Sequence, residues 1–340
     1  MKLIKTQNAV GCVLCHDITQ IIPGVVKEAV FRKGHVVTEE DIPVLLSVGK
    51  ENLYVWEKEE GMLHENEAAQ ILCEICQGEH MHASEVKEGK IELYAQCDGL
   101  LKIDRKKLQA INAMGQIVIA SRHGDFPVKK GDKIAGMRVV PLVIEEEKMR
   151  QAEAIGGDRP LFCLLPFHKM KAGIVTTGSE VYYGRIQDKF TPVVKQKLEE
   201  IGMEVMGDTL CNDDAQMVTG AIRSFIEQGA QMVVCTGGMS VDPDDRTPLS
   251  IRNAADEVIT YGAPVLPGAM FMLAYAGDIP IVGLPGCVMY AKRTIFDLVL
   301  PRLAAGERLC AEDFYRLGEG GLCLNCPTCT FPNCGFGKGV

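Results

Sequence analysis

Tryptophan occurs once in 340 residues and aromatic side chains make up only 6% of the chain, too few for a platform on which nucleic-acid bases would stack. Positive charge is also in short supply. Thirty-six lysines and arginines face 45 aspartates and glutamates, a formal net charge of −9. That balance argues against non-specific binding to nucleic acid or anionic lipid, and leaves room for a local pocket that takes a small anion. No apolar run reaches the roughly 18 residues needed to cross a bilayer. The opening MKLIKTQNAVGCVLCHDITQ has neither the apolar core nor the small-residue cleavage site of a secretory signal. The expectation is a cytoplasmic protein with no nucleic-acid and no membrane partner. Neither a phosphate loop of the Gly-x4-Gly-Lys-Ser type nor a dinucleotide G-x-G-x-x-G is present, which argues against an ATPase or a dehydrogenase.

Hydrophobic residues at 47% and charged residues at 24% are ordinary globular usage. The length calls for two domains and an appendage. Residues 1–160 read as a mixed α+β domain, 170–306 as an α/β domain and 307–340 as a Cys-rich tail. In the first domain Thr38-Glu-Glu-Asp41 predicts a helix start, Leu53–Glu57 a strand, 63–80 a helix, Ile91–Gln96 a half-buried strand and Ile117–Ala120 a buried one. Phe31-Arg-Lys-Gly-His-Val-Val and Val128-Lys-Lys-Gly-Asp-Lys-Ile read as strand–turn–strand with Gly at the bend, and Glu145–Glu153 as an exposed helix.

From Lys171 the pattern changes. Apolar strands at Ala172–Thr177, Glu204–Cys211, Gln231–Thr236 and Ile279–Leu284 alternate with helices over Asp188–Ile201, from Asn212 to Gly229, and from Pro285-Gly286 to about Ala305. Such alternation means a mainly parallel sheet with helices on both faces, a three-layer α/β/α fold. Ligands of such sheets sit beyond the carboxyl ends of the strands. Three of those ends carry glycine: Thr176-Thr-Gly-Ser-Glu180, Cys235-Thr-Gly-Gly-Met-Ser240 and Gly283-Leu-Pro-Gly286. Glycine there lets backbone N–H groups approach an anion. Asp213-Asp214 and Asp242-Pro-Asp-Asp-Arg-Thr-Pro248 bring carboxylates to the same rim. One of Asp213 and Asp214 is expected to cap the following helix, and the others suit Mg²⁺ held between protein and a phosphorylated ligand.

Thr-Thr-Gly-Ser-Glu-Val, Thr-Gly-Gly-Met-Ser-Val-x4-Arg-Thr-Pro and Gly-Leu-Pro-Gly, in this order over about 171–306, resemble the molybdopterin-binding domain shared by MoeA, gephyrin and MogA. The resemblance implies a three-layer α/β/α fold that binds the molybdopterin phosphate through Thr177, Gly178, Ser179, Glu180, Gly237, Gly238, Ser240, Gly283, Pro285 and Gly286. It implies Mg²⁺ at Asp245, catalytic Asp213 and Asp245, molybdopterin or adenylylated molybdopterin and molybdate as partners, and a homo-oligomer. The implied function is molybdenum cofactor biosynthesis by a molybdopterin molybdenumtransferase-like enzyme that inserts molybdate. A non-catalytic molybdopterin carrier or sensor with a metal-binding tail, and a molybdopterin adenylyltransferase-like enzyme, are the alternatives. Three departures stand out. Cys287-Val288 replaces the usual Asn-Pro, Asp188-Lys-Phe190 stands where Asp-Ser-Asn is common, and the Met-Asp-Gly-Tyr-Ala segment of the MoeA N-terminal half is absent.

Fourteen cysteines in a reducing compartment serve metal ligation or plain burial. Cys323, Cys326, Cys329 and Cys334 offer four thiolates in a Gly/Pro-rich stretch, which suits Zn²⁺ or an iron–sulfur cluster. The tail is expected to be too short and polar to be ordered by a core of its own. Cys12-Val-Leu-Cys15-His16 fits a haem-attachment pattern that belongs to exported proteins, and burial is the expected use. Cys73 and Cys76, followed by His80 and His82, offer a second metal site, but share a helix face with Leu72 and Ile75, which favours packing.

Overall fold

The computed structural model describes residues 2–22, 26–55, 60–240, 242–243 and 245–339. They divide into two compact units. The first comprises Met1–Tyr94, Asp104–Arg122 and Lys133–Phe162, and the second Ala95–Ile103, His123–Asp132 and Cys163–Val340. Among the described residues no helix is long and apolar enough to cross a membrane.

In the first unit, strands Lys2–Lys5 and Asn52–Val55 pair antiparallel around a small core of Leu14, Ile18, Val37, Leu45 and Leu53. Trp56 and Glu57, expected to extend the second of these strands, lie outside the described residues. The first predicted helix is Asp41–Ser47, and Thr38 is not its cap. Instead the Thr38 backbone N–H and hydroxyl both donate to Asp41 Oδ2 at 2.8 Å. A four-stranded sheet follows in the order Met81–Ala83, Lys90–Ala95, Lys133–Val139, Ile117–Ser121. The last is an edge strand, so it buries Ile117 and Ile119 and leaves Val118 42% exposed, where the continuous apolar run predicted full burial. Helix Glu65–Cys76 carries an imidazole cap: His64 Nδ1 accepts from Asn66 N, and Glu67 accepts from His64 N. Helix Glu146–Gly156 is amphipathic, with Met149 and Ala152 turned inward.

The second unit is organised by one six-stranded sheet of β1 (Lys171–Thr177), β2 (Glu204–Cys211), β3 (Met232–Thr236), β4 (Glu257–Tyr261), β5 (Met272–Ala276) and β6 (Ile279–Leu284). Their order is β2–β1–β3–β6–β5–β4. The first three pairings are parallel and the last two antiparallel. Around it lie α1 (Ser179–Tyr182), α2 (Phe190–Glu200), α3 (Ala215–Glu227), α4 (Thr247–Ala254), α5 (Ile295–Ala304) and α6 (Ala311–Tyr315). Successive side chains of a strand point to opposite faces, and both faces are covered. Ile174, Val234 and Val282 pack with α2 and α5, while Val175, Val233, Cys235 and Ile281 pack with α3 and α4. Burial on both sides is why these strands read as unbroken apolar runs.

The sheet is mainly parallel as expected, with β5 and β4 added antiparallel at one edge, where Gly277-Asp278 closes a tight hairpin between β5 and β6, with Gly277 at φ +57°. One feature differs from the sequence expectation. The predicted helix after Pro285-Gly286 is interrupted. A 3₁₀ turn covers Gly286–Met289, and α5 starts only at Ile295. Thr294 caps it by accepting from Phe296 N, and Asp297 Oδ2 accepts from Thr294 N at 2.8 Å.

Candidate functional site

Register brings the three glycine loops of the second unit to one level. Thr176 lies opposite Thr236, Thr236 opposite Leu284, and Thr177 opposite Cys211. Gly178, Gly237 and Pro285 therefore leave the same edge of the sheet together, at the carboxyl ends of its parallel strands. Buried hydroxyls tie the loops to one another. Thr177 Oγ1 donates to Thr236 O at 3.2 Å and lies 3.0 Å from Thr247 Oγ1. Thr236 Oγ1 donates to Thr176 Oγ1 at 3.1 Å, which is itself 2.8 Å from Thr191 Oγ1. All five threonines are at least nine-tenths buried. Such a satisfied network fixes loop positions.

The glycines of the rim divide into two kinds. A Cβ on Gly237 (φ +81°) would sit 2.1 Å from Thr177 O, and one on Gly238 (φ +54°) 2.8 Å from Thr247 Oγ1. A Cβ on Gly283, inside β6, would meet Met239 Cε at 2.7 Å. These three are glycine because protein fills the space. Gly286 is exposed, and a Cβ there would have nothing within 4 Å. Gly178 (φ +141°) is buried, with the Glu180 carboxylate folded to within 3.0 Å of its Cβ position. Ser240 and Glu180 are exposed, Ser179 is half-buried, and Thr177 and Pro285 are buried.

The adjacent aspartates do different work. Asp214 is the helix cap: its Oδ1 accepts from Gln216 N and Met217 N at 2.8 and 2.9 Å. Asp213 reaches back to the first loop, where its Oδ2 accepts from Ser179 N at 2.9 Å. Asp188 Oδ1 accepts from Phe190 N and Thr191 N, capping α2. Asp245 is half-buried between β3 and α4, with its N–H donating to Asp242 O. Asp244 and Val241 lie outside the described residues. Helix α4 starts with Arg246 at its N-cap, no capping side chain and no acid in its first turn. The Thr247 N–H donates to Gly238 O at 3.2 Å and Pro248 has no N–H, so this end is closed onto the second loop. The threonine network is not visible in the sequence as a motif.

Elsewhere, Cys76 is fully buried and its thiol is pushed up to about 12 by desolvation, and Cys73 is buried beside it. His80 and His82 are exposed, so the pair of cysteines packs the helix and no ligand set forms with the histidines. Cys15 is buried and Cys12 half-buried. In the tail, Cys323 and Cys334 are half-buried, and Cys326 and Cys329 are exposed. Among the described residues no three His, Cys, Asp or Glu side chains are close enough together to hold a single metal ion. The tail is not a loose polar segment, however. Phe336 is 5% exposed within the core shared with Phe314 and Leu298, and Phe331 packs against that core. Leu266 N donates to Gly321 O, and Cys323 N to Leu266 O, both at 2.8 Å.

Residues 173–305 match the family described as "Probable molybdopterin binding domain", and residues 3–57 match a domain of unknown function, DUF8806. A CinA-like protein of Mycobacterium tuberculosis is 39% identical over 77 residues, 23% of this chain and 18% of that protein. The chain therefore spans less than a fifth of the length of the curated relatives it matches. The molybdopterin biosynthesis enzyme MoaB of Thermus thermophilus is 23% identical, with a TM-score of 0.37 over 41% of this chain and 98% of that one. The protein CinA of Thermoplasma acidophilum is 19% identical, with a TM-score of 0.30 over 34% of this chain and 88% of that one.

Proposed function

We propose that this chain, whose residues 173–305 match the probable molybdopterin-binding domain family, binds molybdopterin across the rim formed by the loops after β1, β3 and β6. The observation that carries the reading is the common level of the three loops, fixed by strand register and by the buried threonines. The pterin phosphate lies against the exposed backbone at Gly286, where no side chain stands in the way. Exposed Ser240 and Glu180 border the same rim.

The reaction assigned to the site is insertion of molybdate into molybdopterin, as a molybdopterin molybdenumtransferase does, with transfer in a homo-oligomer. The donor set fits Mg²⁺ only in part. Asp245 offers a carboxylate at the rim, and Asp213 offers the oxygen that Ser179 leaves unused. Two carboxylates with phosphate and water completing the shell is the usual way a protein holds Mg²⁺ beside a phosphorylated ligand. When bound, the ion neutralises phosphate charge. Asp213 meanwhile holds the first loop against the ligand through the Ser179 N–H, and Asp245 orients the reacting oxygen.

Two observations favour a carrier without turnover. Asp213 is already engaged as a tether of the first loop, and the Met-Asp-Gly-Tyr-Ala segment is missing from the chain. The two readings separate in one experiment on anaerobically purified protein. Native mass spectrometry measures retained pterin for the parent, Gly286→Val and Asp245→Asn, and molybdate-loaded product is then assayed with and without Mg²⁺. The Gly286→Val chain is expected to lose the pterin. The Asp245→Asn chain is expected to keep it and lose Mg²⁺-dependent product. Pterin bound equally by Gly286→Val and the parent refutes the placement of the site. Pterin without any molybdate-loaded product from the parent leaves the carrier as the function.

A further inference from the structure

All four tail cysteines line one cavity of about 440 Å³ in the second unit. A water in the liquid occupies about 30 Å³, so this space would take roughly fifteen of them. It is far larger than one cation needs. Its walls combine apolar side chains, among them Leu322, Phe331 and Phe336, with two cationic residues, Lys292 and Arg293.

The cysteine-bearing segment is held around the cavity by contacts that require no metal. Lys292 Nζ donates to Pro327 O at 2.8 Å. The Arg293 guanidinium sits 5.0 Å from the Phe331 ring centroid and donates to Asp297 Oδ1 at 2.8 Å, and it also reaches Cys329. Gly337 N donates to Gly320 O at 2.9 Å, closing the base of the segment. The result is a cradle with four thiols on its wall and positive charge beside them.

The size of the cavity bears on the ligand it takes. A single Zn²⁺ with Zn–S bonds of about 2.3 Å fills little space, and about 440 Å³ is far more than it needs. An iron–sulfur cluster takes four cysteine thiolates at the corners of a larger body, and its potential is tuned by hydrogen bonds to sulfur. Four cysteines on the wall of one roomy, largely apolar cavity, with an arginine at the Cys329 sulfur, match the second ligand.

We propose that Cys323, Cys326, Cys329 and Cys334 ligate an iron–sulfur cluster seated in this cavity. The four thiols each release a proton and bond to iron; inorganic sulfide and iron in both the ferrous and ferric states are the other components, and the protein itself is neither oxidised nor reduced. The proposal is independent of what binds at the rim.

The test measures iron, zinc and acid-labile sulfide in the full chain, purified anaerobically and again after anaerobic reconstitution with ferrous and ferric iron and sulfide. Electron paramagnetic resonance of the dithionite-reduced protein reports the cluster directly. The parent is expected to carry iron and sulfide in equal amounts. Cys326→Ser, at an exposed position, is expected to lose most of both while its thermal unfolding without metal is unchanged. Cys310→Ser, also exposed but outside the cavity, is expected to retain them. Zinc without sulfide, or no iron–sulfide uptake on reconstitution of folded protein, overturns the proposal. So does a Cys326, Cys329 double serine variant with the parent's iron and sulfide content.

Discussion

Phe336 decides whether the C-terminal segment is an appendage or part of the second unit. Its ring is 5% exposed, lies 6.2 Å from Phe331, and belongs to the core that contains Phe314 and Leu298. Phe331 in turn lies 5.9 Å from Phe126, ring centroid to ring centroid. Truncating a buried Phe to Ala costs about 3–5 kcal/mol, the transfer of the ring plus the void it leaves. Phe336 borders the cysteine cavity, so water can enter the space and the low end, about 3 kcal/mol, applies. In a unit of roughly 150–250 residues each kcal/mol moves Tm by about 2–4 °C, so Phe336→Ala should lower it by about 6–12 °C. The assay is thermal unfolding of the full chain in excess chelator, which keeps metal out of the comparison, with Cys326→Ser as the surface control. Removal of residues 320–340 should cost more, since it takes Phe331 as well. A Phe336→Ala transition within about 2 °C of the parent would mean less than about 1 kcal/mol is at stake and would refute the packing argument.

The remaining predictions concern the rim and the first unit. Gly237→Ala should destabilise the chain by about 1–3 kcal/mol, because an alanine at φ +81° would also press on Thr177 O; Gly286→Val should stay within about 0.5 kcal/mol of the parent, and urea unfolding compares the two. Burial and the nearby Lys33 ammonium hold the His64 pKa below its ordinary 6.5, and burial does the same for His16. The folded chain thus keeps these rings neutral while the unfolded chain protonates, so stability is complete above about pH 6.5, falls as the pH drops below that, and levels off once the folded rings take protons. Unfolding measured across that window should show the slope in the parent and a shallower one in His64→Asn, and a parallel slope in both would remove His64 from the explanation.

How much the sequence revealed depended on whether a residue's role was local. Strands β2 and β6 stand where the apolar runs placed them, and β1 and β3 differ by one residue. Burial of β1, β3 and β6 on both faces writes itself directly into composition, while β2, at the sheet edge, buries only Cys211. The β5–β6 hairpin carried a weaker signal, the Gly277-Asp278 turn between two apolar stretches, which is a hairpin signature. The threonine network left no local trace. Parallel register sets Thr176 beside Thr236, and the starts of α2 and α4 bring Thr191 and Thr247 to them from elsewhere in the chain. The tail misled for the opposite reason. Its Gly, Pro and Cys content reads as polar and loose, and two phenylalanines are enough to anchor it.

Glycine shows why motif and geometry must be argued separately. Loop glycines at strand ends invite the reading that backbone is being bared for a ligand, yet Gly237, Gly238 and Gly283 face Thr177, Thr247 and Met239 at distances no Cβ could keep. Their absence of side chain lets the loops close on each other, which pre-organises the rim and lowers the conformational cost of binding. Only Gly286 faces open space with an unrestricted backbone. The two aspartates divide in the same way: Asp214 is consumed by the helix it caps, and Asp213 spans from the β2 end to Ser179. A rim whose first and second loops are locked by threonines, glycines and one carboxylate has its freedom at the third, where the chain passes from Gly286 through the 3₁₀ turn to Thr294. Of the two residues that follow Gly286, Val288 is buried in the core and anchors the turn, and Cys287 is half-buried.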